Sequence, residues 1–167
     1  MKNIYFFLNI VFIILFFSSC LNSESNSKYF IQGLRLDSDA VLKSDEDSLV
    51  KLKDLKKPIL IFQYSELNCG VCVDSVIVTL KNIDKEIPYI YIADYKRKTD
   101  LYLFKRVNKI KKDVYRTNYK TDVDTLNVPY VYILDDKSLV QKSLFIPRKE
   151  NILDFKEYLD KVSKHYW

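Results

Sequence analysis

The chain has 167 residues, 48% of them hydrophobic and 14% aromatic, which is enough apolar mass for one globular domain and too much for a disordered polymer. Its formal charge of +5, from 27 basic and 22 acidic residues, is spread along the sequence with only short clusters such as Lys96-Arg97-Lys98, a balance too mild to support nucleic-acid binding. With two glycines in the whole chain, turns fall to Asn, Asp, Ser and Lys.

At the amino end Lys2 precedes an apolar run from Ile4 to Phe17, interrupted by Asn9 and closed by Ser18-Ser19-Cys20. About 14 apolar residues fall short of the roughly 20 that span a bilayer, so residues 1–19 read as a secretory signal peptide. Phe17-Ser18-Ser19-Cys20 resembles the lipobox of bacterial lipoproteins, with Phe17 in the usual place of Leu. That resemblance implies cleavage before Cys20 and lipid on its sulfur; the alternative is an ordinary cleaved signal with Cys20 incidental. Residues 20–29 then form a tether, since the polar stretch Asn22 to Lys28 cannot support a core, and residues 30–167 form the folded domain.

With Cys20 lipidated, Cys69 and Cys72 are the remaining thiols, placed outside the cytoplasm, where disulfides persist. Before them Pro58-Ile59-Leu60-Ile61-Phe62-Gln63-Tyr64 has the bulk and length of a buried strand. After them Val73, Val76, Ile77, Leu80, Ile83 and Ile87 recur at helical spacing, and Pro88 ends the segment. Cys69 therefore stands at a helix amino terminus, where free N–H groups and the dipole favour a thiolate, while Cys72, one turn on, faces inward and reaches back to it. In that geometry Cys69 attacks a disulfide and Cys72 resolves the mixed disulfide.

Other uses of the pair fit less well. A tetrahedral zinc site wants four ligands, and the chain offers these thiols and a single histidine, His165, so no metal is expected. Cys69-Gly70-Val71-Cys72 lacks the following His of haem attachment, and no other cofactor is expected. A static bridge across so small a loop gains little chain entropy. The Thr-x-x-Cys pattern of peroxide reduction is missing, and His165 reads as a surface residue of the last turn.

Further along, Tyr89-Ile90-Tyr91-Ile92-Ala93-Asp94 reads as a strand. A helix capped by Thr99 or Asp100 carries Leu101, Phe104, Val107, Ile110 and Val114. Tyr130-Val131-Tyr132-Ile133-Leu134 is the next strand, Asp135-Asp136-Lys137 a turn, and Leu139 to Ile146 a last strand. A final helix after Pro147 sets Ile152, Phe155, Leu159 and Val162 on one face. The order predicts an α/β domain: parallel strands linked through the first helix, then a closing hairpin, packed between helices.

Strand, Cys-x-x-Cys, helix, strand, helix, Val-Pro, hairpin and helix together resemble the thioredoxin fold, over roughly residues 30 to 165. The lead-in from Leu49 to Pro58 is similar to that of extracytoplasmic thiol-disulfide oxidoreductases of the TlpA/ResA type. The resemblance implies a central mixed sheet of four or five strands flanked by helices, with a short N-terminal extension. It also implies a cis Pro129 beside the cysteines, with Val128 on the substrate side. Asn68 and Val71 stand where the family often has Trp and Pro, and Gln63 stands where thioredoxins carry a buried acid, departures that bear on rate, potential and direction. Glu66 is the nearest acid for proton transfer. Tyr64, Leu67 and Tyr130 are candidates for an apolar rim that receives a protein substrate, with core packing the alternative for each.

Two functions stay open at this level. One is a lipid-anchored thiol-disulfide oxidoreductase on the extracytoplasmic side of a bacterial membrane, acting on thiols or disulfides of exported proteins and fed by a membrane electron donor. The other is a non-catalytic thioredoxin-like lipoprotein that binds a partner, its Cys69–Cys72 bridge structural.

Overall fold

In the computed structural model the described residues are 34–83, 86–136, 140–141 and 143–167; the expected signal segment, Cys20 and the tether lie outside them. A short strand β1 (Leu34–Arg35) leads to the hairpin β2 (Val41–Ser44) and β3 (Leu49–Lys51), a 3-10 turn at Leu52–Asp54, and the long strand β4 (Ile59–Ser65). Then come α1 (Gly70–Lys81), β5 (Tyr89–Asp94), α2 (Lys98–Val107) and β6 (Val114–Thr117). A second 3-10 turn at Asp122–Leu126 precedes β7 (Tyr130–Leu134), β8 (Val140–Gln141) and α3 (Asp154–Tyr166).

Six strands form one sheet in the order β3-β2-β6-β5-β4-β7, while β1 and β8 pair separately. β4, β5 and β6 run parallel and β7 pairs antiparallel to β4, from Ile59 opposite Leu134 to Gln63 opposite Tyr130. The sheet is wider than the four or five strands expected, because the β2–β3 hairpin joins it through β6.

Alternation along the strands divides the interior in two. Leu60, Phe62 and Tyr64 of β4 face α1, α2 and α3, packing with Val73, Val76, Ile77, Leu80, Leu101 and Phe155. Ile59 and Ile61 face the other way, with Tyr130 and Tyr132 of β7 and the N-terminal residues Leu34, Leu36 and Leu42. β4, buried on both faces, is a continuous apolar run for that reason.

Several sequence expectations change. The helix carrying Leu101 stops at Val107, because Asn108 caps it and Lys109 turns the chain with φ 50°; Val114 lies in β6. α1 ends at Lys81, before Ile83 and Ile87. The strand expected over Leu139–Ile146 reduces, among the described residues, to Val140–Gln141, which pairs with β1, and one bridge from Phe145 to Val131. α3 begins at Asp154, after Ile152. Among the described residues the cis peptide is Lys57–Pro58, and Val128–Pro129 is trans. Asn127, in the left-handed region at φ 51° and ψ 39°, already turns the chain out of the 3-10 segment, so Pro129 enters β7 in the isomer that X-Pro bonds ordinarily take.

Candidate active site at the start of the first long helix

β4 delivers the chain to its carboxyl end at Ser65, and a tight turn carries it into α1. Asn68 builds that turn. Its side-chain oxygen accepts the Ser65 N–H at 2.8 Å, its own N–H donates to the Ser65 carbonyl at 3.2 Å, and the Leu67 N–H donates to Ser65 Oγ at 3.3 Å. Asn68 therefore locks the loop by hydrogen bonds, at the place where the resembled family often has an indole.

Cys69 is the N-cap of α1; its backbone carbonyl accepts the Val73 N–H at 3.0 Å, while its side chain makes no capping hydrogen bond and is exposed. No acid lies in the first turn to oppose a negative charge there. Cys72, one turn later, is 5% exposed, and both cysteines are free thiols. The pair is strongly asymmetric. The Cys72 side chain hydrogen-bonds to Cys69 and, with the Cys72 backbone N–H, holds the Cys69 thiol below its ordinary pKa of 9.0 against a small opposing effect of burial; Lys149 and the Val71 N–H add to the lowering. Burial, followed by the hydrogen bond and charge of Cys69, pushes Cys72 up to about 11.

Lys149 and Glu150, in the loop before α3, bring charges that act on these cysteines: Lys149 on both, Glu150 on Cys72. Their approach is tertiary, across nearly eighty residues of chain, and no local motif announces it. Glu66, the acid nearest in sequence, is exposed, and its charge acts on Tyr95.

The expected rim divides. Leu67 is 71% exposed and Val71, not among the expected rim residues, 60%. Tyr64 is buried, stacked on Phe62 at 4.9 Å and tilted against Phe104 at 5.5 Å, and Tyr130 is fully buried. Both belong to the core because they occupy strand positions whose neighbours across the sheet are also covered. Val128 is half-buried against the second core and Pro129 is buried.

Gln63 is 6% exposed and takes part in a polar cluster. Its amide nitrogen donates to both Asp124 oxygens at 3.5 Å, and the Tyr132 hydroxyl donates to its amide oxygen at 3.5 Å. Asp124 also accepts from the Tyr130 hydroxyl at 3.1 Å and from the Thr121 N–H at 2.6 Å. The cluster ties the segment leading to Val128 and Pro129 onto β4. Among the described residues no group of three or more His, Cys, Asp or Glu is placed to hold a metal ion, and no helix is long and apolar enough to cross a membrane.

No protein-family model matches the chain, and no curated protein matches it. Solved structures do. A proposed electron transfer protein from Aquifex aeolicus VF5 superposes with a TM-score of 0.56 at 15% identity, over 77% of this chain and 92% of that one. A DsbF homologue from Corynebacterium diphtheriae gives 0.52 at 18%, over 83% and 96%. A proposed thiol:disulfide interchange protein DsbE from Chlorobium tepidum gives 0.51 at 12%, over 77% and 95%. The fold is thioredoxin-like, with a six-stranded mixed sheet and three helices.

Proposed function

We propose that the protein is a thiol-disulfide oxidoreductase of extracytoplasmic proteins, tethered to a bacterial membrane by lipid on Cys20. The observation that carries the reading is the asymmetry of its cysteines: an exposed Cys69 with a lowered pKa, hydrogen-bonded to a buried Cys72 with a raised one. The likeness to a DsbF homologue and a proposed DsbE protein supports the same chemistry, and the signal-like segment supports the compartment.

The Cys69 thiolate attacks one sulfur of a substrate disulfide, forming a mixed disulfide and expelling the other substrate sulfur as a thiolate that takes up a proton. Cys72 then loses its proton and attacks the Cys69 sulfur. The second substrate thiolate leaves, and a Cys69–Cys72 disulfide remains. The substrate is thereby reduced by two electrons and the enzyme oxidised; a membrane-borne dithiol donor restores the pair by the reverse exchange. Cys72 holds its proton until the mixed disulfide has converted Cys69 to a neutral sulfur, which removes the charge that opposes Cys72 ionisation. Leu67 and Val71, exposed on either side of Cys69, offer an apolar lip to an extended substrate.

The test is the reduction potential of the full chain, equilibrated against glutathione and dithiothreitol, with Cys69→Ser as control. A reversible couple between about −120 and −270 mV is expected for a catalyst of exchange. A bridge closed well below about −300 mV is structural, and the partner-binding reading then takes its place.

A further inference from the structure

A cavity lies at the far end of the sheet from the cysteines. Lys81 closes α1, Tyr89 and Tyr91 open β5, and Lys109 to Lys112 form the loop between α2 and β6; together they line about 370 Å3. Lys81 follows Cys72 by nine residues, about 13 Å along the helix at 1.5 Å per residue.

Among the described residues no acid lines this cavity, and Lys81, Lys109, Lys111 and Lys112 have no carboxylate partner there. The partners they do have are neutral. Lys81 Nζ donates to the Asn108 carbonyl at 3.0 Å, and Lys112 Nζ donates to the Tyr89 carbonyl at 3.5 Å while lying 3.5 Å from the centre of the Tyr89 ring. Burial lowers the Lys112 pKa with no anion to offset it. The loop is held in place: Lys109 adopts φ 50°, and the Lys109 and Ile110 N–H groups donate to the carbonyls of Arg106 and Lys105 at 3.1 and 3.0 Å. Tyr91 supplies an independent observation. It is 1% exposed, and among the described residues its hydroxyl has no hydrogen-bond partner of ordinary geometry, the Tyr89 phenol being the polar group that acts on it by charge and hydrogen bonding. A buried hydroxyl of this kind is expected to have an acceptor.

We propose that this cavity binds a phosphate-bearing anion, with Lys81, Lys111 and Lys112 supplying charge and the Tyr91 hydroxyl a neutral donor. A carboxylate carries one charge, whereas a terminal phosphate carries close to two and three acceptor oxygens, which suits several lysines converging without an acid. Lysine binds phosphate as a point charge and needs no forked geometry. The volume leaves room beyond the phosphate for the group it is attached to, beside the Tyr89 ring. The shared chemistry is that of an anionic lipid headgroup or of a free phosphate ester. The site is separate from the cysteine chemistry and does not rest on it.

The experiment uses the full chain in a zwitterionic detergent, titrated calorimetrically with inorganic pyrophosphate, and in parallel with short-chain phosphatidic acid, whose phosphate is terminal, against phosphatidylcholine. Saturable binding is expected that weakens at least about tenfold in the combined variant Lys81→Gln, Lys111→Gln, Lys112→Gln through loss of charge-assisted hydrogen bonds. Tyr91→Phe, which keeps the ring and the charge, is expected to weaken it about threefold, and Cys69→Ser not at all. Binding of phosphatidic acid but not phosphatidylcholine, with the same dependence on the variants, identifies a lipid headgroup; binding of pyrophosphate alone identifies a free phosphate. No saturable binding of either, or binding that neither the lysine variant nor Tyr91→Phe weakens, overturns the proposal.

Discussion

Cys69 and Cys72 carry the same side chain three residues apart, and the start of α1 is what makes them chemically different. Cys69 sits at the cap, exposed and receiving hydrogen bonds; Cys72 lies one turn in, against the core. Because the largest cause of the lowered Cys69 pKa is the Cys72 side chain, Cys72→Ala is expected to raise it toward the ordinary 9.0. The pH dependence of iodoacetamide labelling, read by mass spectrometry, measures this. An unchanged midpoint would assign the lowering to the backbone N–H groups instead. Gly70, between them, needs no special freedom: a Cβ added there meets nothing within 4 Å. Gly70→Ala is therefore expected to stabilise the domain by about 0.4–1 kcal/mol through the unfolded chain, seen as a raised melting temperature. The cysteine asymmetry was legible in the sequence because helix spacing alone separates the two positions. Lys149, Glu150 and Asp124 were not, since they reach their partners from distant segments. Tyr64 stayed open between rim and core because a tyrosine beside a reactive loop looks the same in sequence whether its ring points to solvent or, as here, to Phe62 and Phe104.

At the level of elements, periodicity found the long, buried pieces and failed at stops and edges. β4, β5, β7 and α1 have enough apolar residues to declare their period, and all are present. β6 was hidden because Leu101 to Val114 continues a helical spacing past the Asn108 cap and the Lys109 turn, and neither residue is a strong stop signal. β2 and β3 are short and half exposed, so little in their composition distinguishes them from loop. α3 is the clearest case of an amphipathic helix held by packing, with Phe155 buried against Phe145 at 5.3 Å and Tyr158 at 6.0 Å. Phe155→Ala is expected to cost about 3–5 kcal/mol in denaturant unfolding by opening a cavity in that layer. Leu153→Ala, two residues earlier and 87% exposed, is expected to stay within about 0.5 kcal/mol. Equal losses for both would mean that α3 docks by a different face.

Across the whole molecule, the N-terminal hairpin joins the thioredoxin-like sheet through the β2–β6 pairing and the burial of Leu42, and ion pairs within it and to Lys98 and Lys105 of α2 add a dependence on acid. Three aspartates around β2 and β3 have lowered pKa values. A hydrogen bond from Lys53 does this for Asp39, and hydrogen bonds from Lys98 and Lys43 bring Asp47 from 3.8 to about 2. For Asp45 burial works upward but is outweighed by Lys105 of α2, helped by the Val114 N–H of β6. A carboxylate whose folded pKa lies below its unfolded one contributes stability in full above the unfolded value, and the contribution disappears as pH falls through the folded one. The window thus opens near 3.8 and closes near about 2, the Asp47 limit. β4 and α1 are held chiefly by apolar burial. Hydrogen exchange followed down through that window is expected to release the amides of Val41–Ser44 before those of Ile59–Ser65. Asp45→Asn, which removes the charge joining hairpin, helix and β6, should give early exchange of Val41–Ser44 already at neutral pH and flatten their response to acid. Loss of protection in both strands at the same pH would show instead that the hairpin and the central sheet open as one unit.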